Sequence, residues 1–165
     1  MAATTNGNAN GNADNDYFEY LKDSIDRLQG STNYNRVATA LIPVSATAET
    51  ITCELTCAEE HCNEKNTMHG GQIVSLVDIV TARGIGITER DMPMVSVDLS
   101  TSFLLPIALG ETVLIIATVL KKGRSMVFSE CEFRRKADNK LCAKGKHTIA
   151  LLPYLKAQNP NIRQF

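Results

Sequence analysis

The chain lacks an excess of charge of either sign, an apolar run of membrane length and an even set of cysteines, and each absence removes a class of function. Its 17 basic and 18 acidic residues leave a formal net charge of -1, so no overall field draws in nucleic acid or an anionic bilayer. No nucleic-acid partner is expected. No window reaches the roughly 20 consecutive apolar residues that span a bilayer, and no membrane insertion is expected. The opening "MAATTNGNANGNADNDY" has neither the apolar core of a secretory signal nor the arginines of a transit helix, and "RQF" is no peroxisomal ending. The expected compartment is the cytoplasm, with the mitochondrion left open. Cys53, Cys57, Cys62, Cys131 and Cys142 are odd in number and unevenly spaced, which suits reduced thiols better than a disulfide framework. "CELTCAEEHC" offers Cys53, Cys57, His61 and Cys62 as metal ligands, but their spacing matches no zinc pattern. Small buried or half-buried side chains are the expected role, and no metal is expected.

What is present fits one globular domain: 165 residues, 44% of them hydrophobic, are enough to bury a core that carries a site. Residues 1–15, rich in Asn, Gly and Ala, read as a disordered tail. A single domain is expected over 16–155 and a C-terminal tail over 156–165. "DYFEYLKDSIDRLQG" spaces Phe18, Leu21, Ile25 and Leu28 by three and four and stops at Gly30, the pattern of a short amphipathic helix. "RVATALIPVSAT" and "ETITCELTCAEEH" read as strands, and residues 72–87 as a second, almost wholly apolar helix. "MVSVDLSTSFLLP" alternates, with Val95, Val97, Leu99, Thr101, Phe103 and Leu105 on one face and Ser96, Asp98, Ser100 and Ser102 on the other. "ETVLIIATVLKK" is apolar on both faces, as in a strand covered on two sides. "SMVFSECEFRRK" and "KLCAKGKHTIALLP" complete four antiparallel strands in sequence, with turns at "KKGRS" and "ADNK". Neither an internal repeat nor a linker interrupts the pattern. The fold class is α+β, an antiparallel sheet wrapped around the long apolar helix.

Along that helix Gln72, Ser75, Asp78 and Thr81 recur every third residue and form one narrow polar strip. Full burial of Asp78 as an unpaired anion would cost several kcal/mol, so it must meet water, a partner or a ligand. A plain surface Asp on a half-exposed helix is the bland alternative. The preceding "HGG" adds a second signal. Gly70 and Gly71 let the backbone approach a ligand, and the first free N–H groups of the helix point at whatever binds there. An oxyanion would be stabilised by that arrangement. Eight residues separate Gly70 from Asp78, roughly 12 Å of helix rise. If the two cooperate, the carboxylate comes from a second subunit, and a two-fold dimer would make two equal composite sites.

"HGG", the Asp nine residues after His69, "VSVDLSTSFLLP" and "LGETV" together resemble the hotdog-fold acyl-CoA thioesterases of the phenylacetic-acid-degradation type. The resemblance runs in unbroken order from Glu59 to Thr148 and implies a hotdog fold and hydrolysis of a fatty or aryl acyl-CoA. By that resemblance, Asn63 and the N–H of Gly70 would polarise the thioester carbonyl. Asp78 of the facing subunit would act as general base or nucleophile, Ser96 would orient the water, and His69 would support the loop. Taken singly, Asn63 reads as a loop cap, Ser96 as a solvent-facing strand serine and His69 as a helix-entry histidine. Coenzyme A carries phosphates, for which Lys121, Lys122 and Arg124 at a hairpin turn and Lys144, Lys146 and His147 on the last strand are candidates. A basic turn serves equally as a solvated sheet edge. Met68, Ile73 and Val77 are candidates to line an acyl channel at the interface, beside Gly71. No cofactor is implied, since coenzyme A is part of the substrate, and a dimer of dimers is expected. A hotdog hydratase or dehydratase and a non-catalytic acyl-CoA-binding dimer are the competing readings. The proline-rich signature of the lyases is missing beside His69, and a costly carboxylate at position 78 favours chemistry over binding alone.

Overall fold

Leu21, Ile25 and Leu28 are buried on one face of the first helical segment, whose regular part is α1 (Ala9–Asp26), in the computed structural model, which describes residues 9–161. The helix starts inside the stretch expected to be a tail, and residues 1–8 lie outside the described residues. A 3-10 helix over Tyr34–Ala38 then takes the place of the beginning of the first expected strand. Its cause is local: the Asn33 side chain accepts a hydrogen bond from the Asn35 N–H, and such a cap competes with a sheet ladder for the backbone.

Six strands follow: β1 (Ile42–Ala46), β2 (Thr50–Thr56), β3 (Met94–Phe103), β4 (Thr112–Lys122), β5 (Met126–Arg135) and β6 (Leu141–Leu151). They form one antiparallel sheet in the order β1-β2-β4-β5-β6-β3. Between β2 and β3 runs α2 (Gly70–Gly86), and α3 (Pro153–Gln158), with Pro153 at its start, follows β6. The last boundary expected for the domain falls inside α3.

The turns expected at "KKGRS" and "ADNK" join β4 to β5 and β5 to β6 as antiparallel neighbours. β3 does not pair with β4 but forms the far edge beside β6. Ile85 at the end of α2, Met94, Val127, Ile149 and Leu151 make one apolar cluster, which seats the start of β3 against the end of β6. There β3 exposes the apolar face that alternation marked: Val95, Val97 and Phe103 are 49%, 57% and 56% exposed. β4 is likewise one-sided, with Val113, Ile115 and Ala117 buried while Leu114 and Ile116 are only half-buried.

The sheet wraps α2 as expected. Leu76, Val77 and Val80 are without exposure and share a core with Ile51, Leu55, Ile115 and Phe133, each side chain contributing about 1.5–3 kcal/mol by burial. Gly145 on β6 sets how closely the helix lies: a Cβ there would sit 2.6 Å from Val77 Cγ1, so any other residue would force Val77 or the strand to shift. Cys53, Cys57, Cys131 and Cys142 are buried free thiols and Cys62 is half-buried. Among the described residues no helix is long and apolar enough to cross a membrane.

Candidate active site

The segment before α2 is a tight hairpin. His69 N–H donates to His61 O at 2.8 Å, Asn63 N–H donates to Thr67 O at 2.9 Å, and Cys62 bridges Met68. Asn66 makes the bend with a positive φ of 56°, which Asn tolerates better than most residues. Met68 N–H to Ile107 O and Leu109 N–H to Asn66 O fasten the hairpin to the segment before β4.

At the hairpin's tip the Asn63 carboxamide oxygen accepts from Lys65 N–H at 2.8 Å and Thr67 N–H at 3.4 Å, while Nδ2 donates to Thr67 Oγ1 at 3.0 Å. The oxygen is thereby occupied, and the amide nitrogen, with a second hydrogen, is the end left to serve a ligand. The loop-capping reading of Asn63 therefore holds together with its donor capacity. His69 is the N-cap of α2, and its Nδ1 accepts the Gly71 N–H at 2.8 Å. That bond removes Gly71 as a donor. Among the described residues the Gly70 N–H has no acceptor, as expected of a first-turn donor, and the Phe103 ring lies against this glycine.

The polar strip of α2 is satisfied except at its centre. Gln72 Nε2 donates to Val37 O at 2.6 Å, Ser75 bonds the Tyr34 hydroxyl at 2.7 Å, and Thr81 Oγ1 lies 2.6 Å from both Val77 O and His147 Nδ1. Asp78 differs: its side chain is 47% exposed and opens on a cavity of about 210 Å³ lined by Asn35, Arg83, Met94, Ser96 and Ile149 among others. Ser96 Oγ donates to Asp78 Oδ1 at 2.7 Å. The buried His147 Nε2 stands 3.4 Å from the same oxygen, while Oδ2 has no partner among the described residues. Burial holds His147 below the usual histidine range, with Asp78 and Asp98 pulling it upward. The imidazole is thus neutral near pH 7. Burial also pulls the Arg83 guanidinium down to about 10.

Within one chain the residues expected to contact substrate differ in their placement. His147 is no phosphate ligand: strand alternation turns Gly145 and His147 inward against α2 and leaves Lys146 outside. Met68, Ile73 and Val77 are buried in the core of one chain. Lys122 is paired with Glu89, and Lys144 with Glu130 and Glu132. Lys121, Arg124 and Lys146 are exposed and in no ion pair among the described residues. Sequence reasoning missed Tyr34 and Asn35, which lie in the unassigned stretch between the helix stop at Gly30 and the strand expected from Arg36, and it gave no role to Thr81, although that residue lay on the marked strip.

Asn63, His69 and Gly70 thus gather at the start of α2, while Asp78, Ser96 and His147 gather near its middle, roughly 12 Å on. The Thioesterase superfamily matches residues 65–142. Human acyl-coenzyme A thioesterase 13 is 38% identical over 128 residues, 78% of this chain and 91% of that protein. The chain belongs to the thioesterase superfamily. A Caenorhabditis elegans protein named as a candidate esterase is 50% identical over 129 residues, covering 78% of this chain and 76% of that one. The zebrafish thioesterase superfamily member 2 structure aligns with a TM-score of 0.78 at 34% identity, over 82% of this chain and 98% of the other. The superfamily fold is the hotdog fold expected from the sequence, and membership makes thioester hydrolysis the reaction class of this enzyme.

Proposed function

We propose that this enzyme hydrolyses acyl-CoA thioesters to the free acid and CoA at a two-fold dimer interface, where Asp78 of one subunit faces Asn63 and Gly70 of the other. The observation that carries this reading is the Asp78 carboxylate itself. One oxygen is fixed by Ser96, the other is unpartnered among the described residues, and the cavity beside them is open. That is the arrangement a general base needs: held in orientation yet free to take a proton from water. The helix separation between the two residue groups supports a composite site, and the exposed apolar face of β3 supplies a surface that a second copy would cover. The name of human acyl-coenzyme A thioesterase 13 supports the acyl-CoA substrate.

In the proposed reaction a water that donates one hydrogen to Ser96 Oγ and the other to Asp78 Oδ2 loses the latter proton to the carboxylate and attacks the thioester carbon. The carbonyl oxygen becomes anionic and takes hydrogen bonds from the Gly70 N–H and Asn63 Nδ2, donors worth roughly 3 kcal/mol each in such a site. Collapse expels the CoA thiolate, whose parent thiol titrates near about 8.5, so no strong acid is required. The acyl chain lies along Val95, Val97 and Phe103, and Lys121, Arg124 and Lys146, which form no ion pair among the described residues, are cations available to the CoA phosphates. The test is CoA-thiol release across acyl-CoA chain lengths by native protein and Asp78→Asn. Turnover by the native dimer and a loss of roughly 10²- to 10⁴-fold in an equally dimeric variant are expected. Binding without turnover, or an unimpaired variant, would overturn the mechanism.

A further inference from the structure

Cys57 and Cys62 lie one on each side of the short 3-10 turn Glu59–His61, and their Sγ atoms are 3.5 Å apart. Both thiols point at the same acceptor, Ala58 O, at 4.0 and 3.3 Å. The other three cysteines are without exposure in the core. A bonded pair needs about 2.05 Å between sulfurs, so the two must approach by roughly 1.5 Å. The two ends of this turn are held differently. Cys57 is clamped by Cys57 N–H to Glu111 O and Gly110 N–H to Cys57 O, both 2.8 Å. Cys62 belongs to the hairpin that carries Asn63 as its next residue. The hairpin's fastenings to the segment before β4 lie at Asn66 and Met68 rather than at Cys62 itself, so closing the pair displaces the Cys62–Asn63 end more than the Cys57 end.

We propose that Cys57 and Cys62 form an oxidative modification site, a dithiol that small hydroperoxides convert to a disulfide, drawing Asn63 away from its position and slowing turnover until a dithiol reductant reopens the ring. The half-exposed Cys62 reacts first. Its thiolate attacks the peroxide oxygen to give a sulfenic acid and release the alcohol or water. The Cys57 sulfur then displaces the sulfenic oxygen as water and forms the S–S bond. Two thiols together lose two electrons and two protons, and one hydroperoxide is reduced. Burial pushes the Cys57 thiol up to about 12, which keeps it from starting the reaction; its place as resolving partner comes from its sulfur lying 3.5 Å from that of Cys62, a proximity that offsets its small thiolate fraction.

The proposal rests on the proposed function only for its effect on turnover. The test uses the full-length chain, titrated with hydrogen peroxide, alkylated after unfolding and cleaved after Glu59 or Glu60, so that the halves stay joined only by the disulfide. Two of the five thiols should be lost, the Cys57 and Cys62 peptides should be found joined, and acyl-CoA turnover should fall roughly tenfold to a hundredfold, as expected when a polarising donor moves by about 1 Å. Dithiothreitol should restore it, and Cys62→Ser should hold full turnover through the same titration. Cys62→Ala replaces it if serine disturbs the turn. Oxidation of Cys62 to sulfinic acid with no joined peptides overturns the proposal, as does a joined pair with unchanged turnover. If the reduced protein hydrolyses no acyl-CoA, the proposed function fails by itself. The peptide map, together with protease sensitivity of residues 61–69 before and after oxidation, then decides the dithiol: a joined pair with altered cleavage supports it, and an unjoined pair or unaltered cleavage overturns it.

Discussion

The two edges of the sheet are finished differently. At one, β1 has five residues, carries Pro43 and shifts register between Pro43 and Ser45, features that stop a strand from recruiting another. At the other, β3 runs for ten residues without proline and exposes Val95, Val97 and Phe103. Ser96, the hydrogen-bond partner of Asp78, lies on this second edge. The contrast teaches where the chemistry can be completed: one edge is closed by its own sequence, and the open one adjoins the carboxylate.

A charge placed on each edge in turn is the strongest way to break that comparison. Val97→Glu should yield monomers by light scattering and cut acyl-CoA turnover by roughly a hundredfold or more, because a like charge meets itself across a two-fold axis. Val44→Glu on β1 should leave both mass and turnover near native. A dimeric, active Val97→Glu would mean that β3 is not the joining surface. The seating of α2 sharpens the same contrast with a smaller effect. Gly145→Ala would drive a methyl into Val77 at 2.6 Å and should cost about 1–3 kcal/mol in denaturant unfolding. Gly84→Ala meets Ile51 Cγ1 at an ordinary 3.5 Å and should be neutral or gain up to about 1 kcal/mol from helix propensity. The smallest effect is proton-linked. His147, beside β3 and beneath α2, has its affinity for protons lowered by burial, so between its folded and unfolded pKa values the unfolded chain binds more protons. Stability is then full above about pH 6.5 and declines as pH falls through the folded value. Melting temperatures from pH 7.5 to 5 should show that decline in the native protein and a flatter limb in His147→Gln.

Periodicity alone exposed the strip Gln72, Ser75, Asp78 and Thr81, and the glycines before it marked the ligand-facing end of the helix. Those signals are local, each contained in a few turns of chain. The partners that satisfy the strip are not local. Val37 and Tyr34 approach from a 3-10 helix whose only warning was Asn33, a residue able to bond its own backbone. The place of β3 was hidden for the same reason, since pairing with β6 rather than β4 depends on a cluster formed by four separate elements. His147 is a different case. Strand alternation already separated it from Lys144 and Lys146, but the basic neighbourhood drew the reading outward to phosphate. Gly145, two residues before it, was the clue that this face of β6 lies hard against a helix.

The roughly 12 Å between Gly70 and Asp78 along α2 has a consequence in mixed populations. If each site draws its carboxylate from one chain and its carbonyl donors from the other, a chain crippled by Asp78→Asn and a chain crippled by Asn63→Ala can complement. Their heterodimer holds one doubly damaged centre and one intact centre, so free mixing of equal amounts should revive about a quarter of all centres. Two inactive alleles would then behave in one cell as a partly active pair.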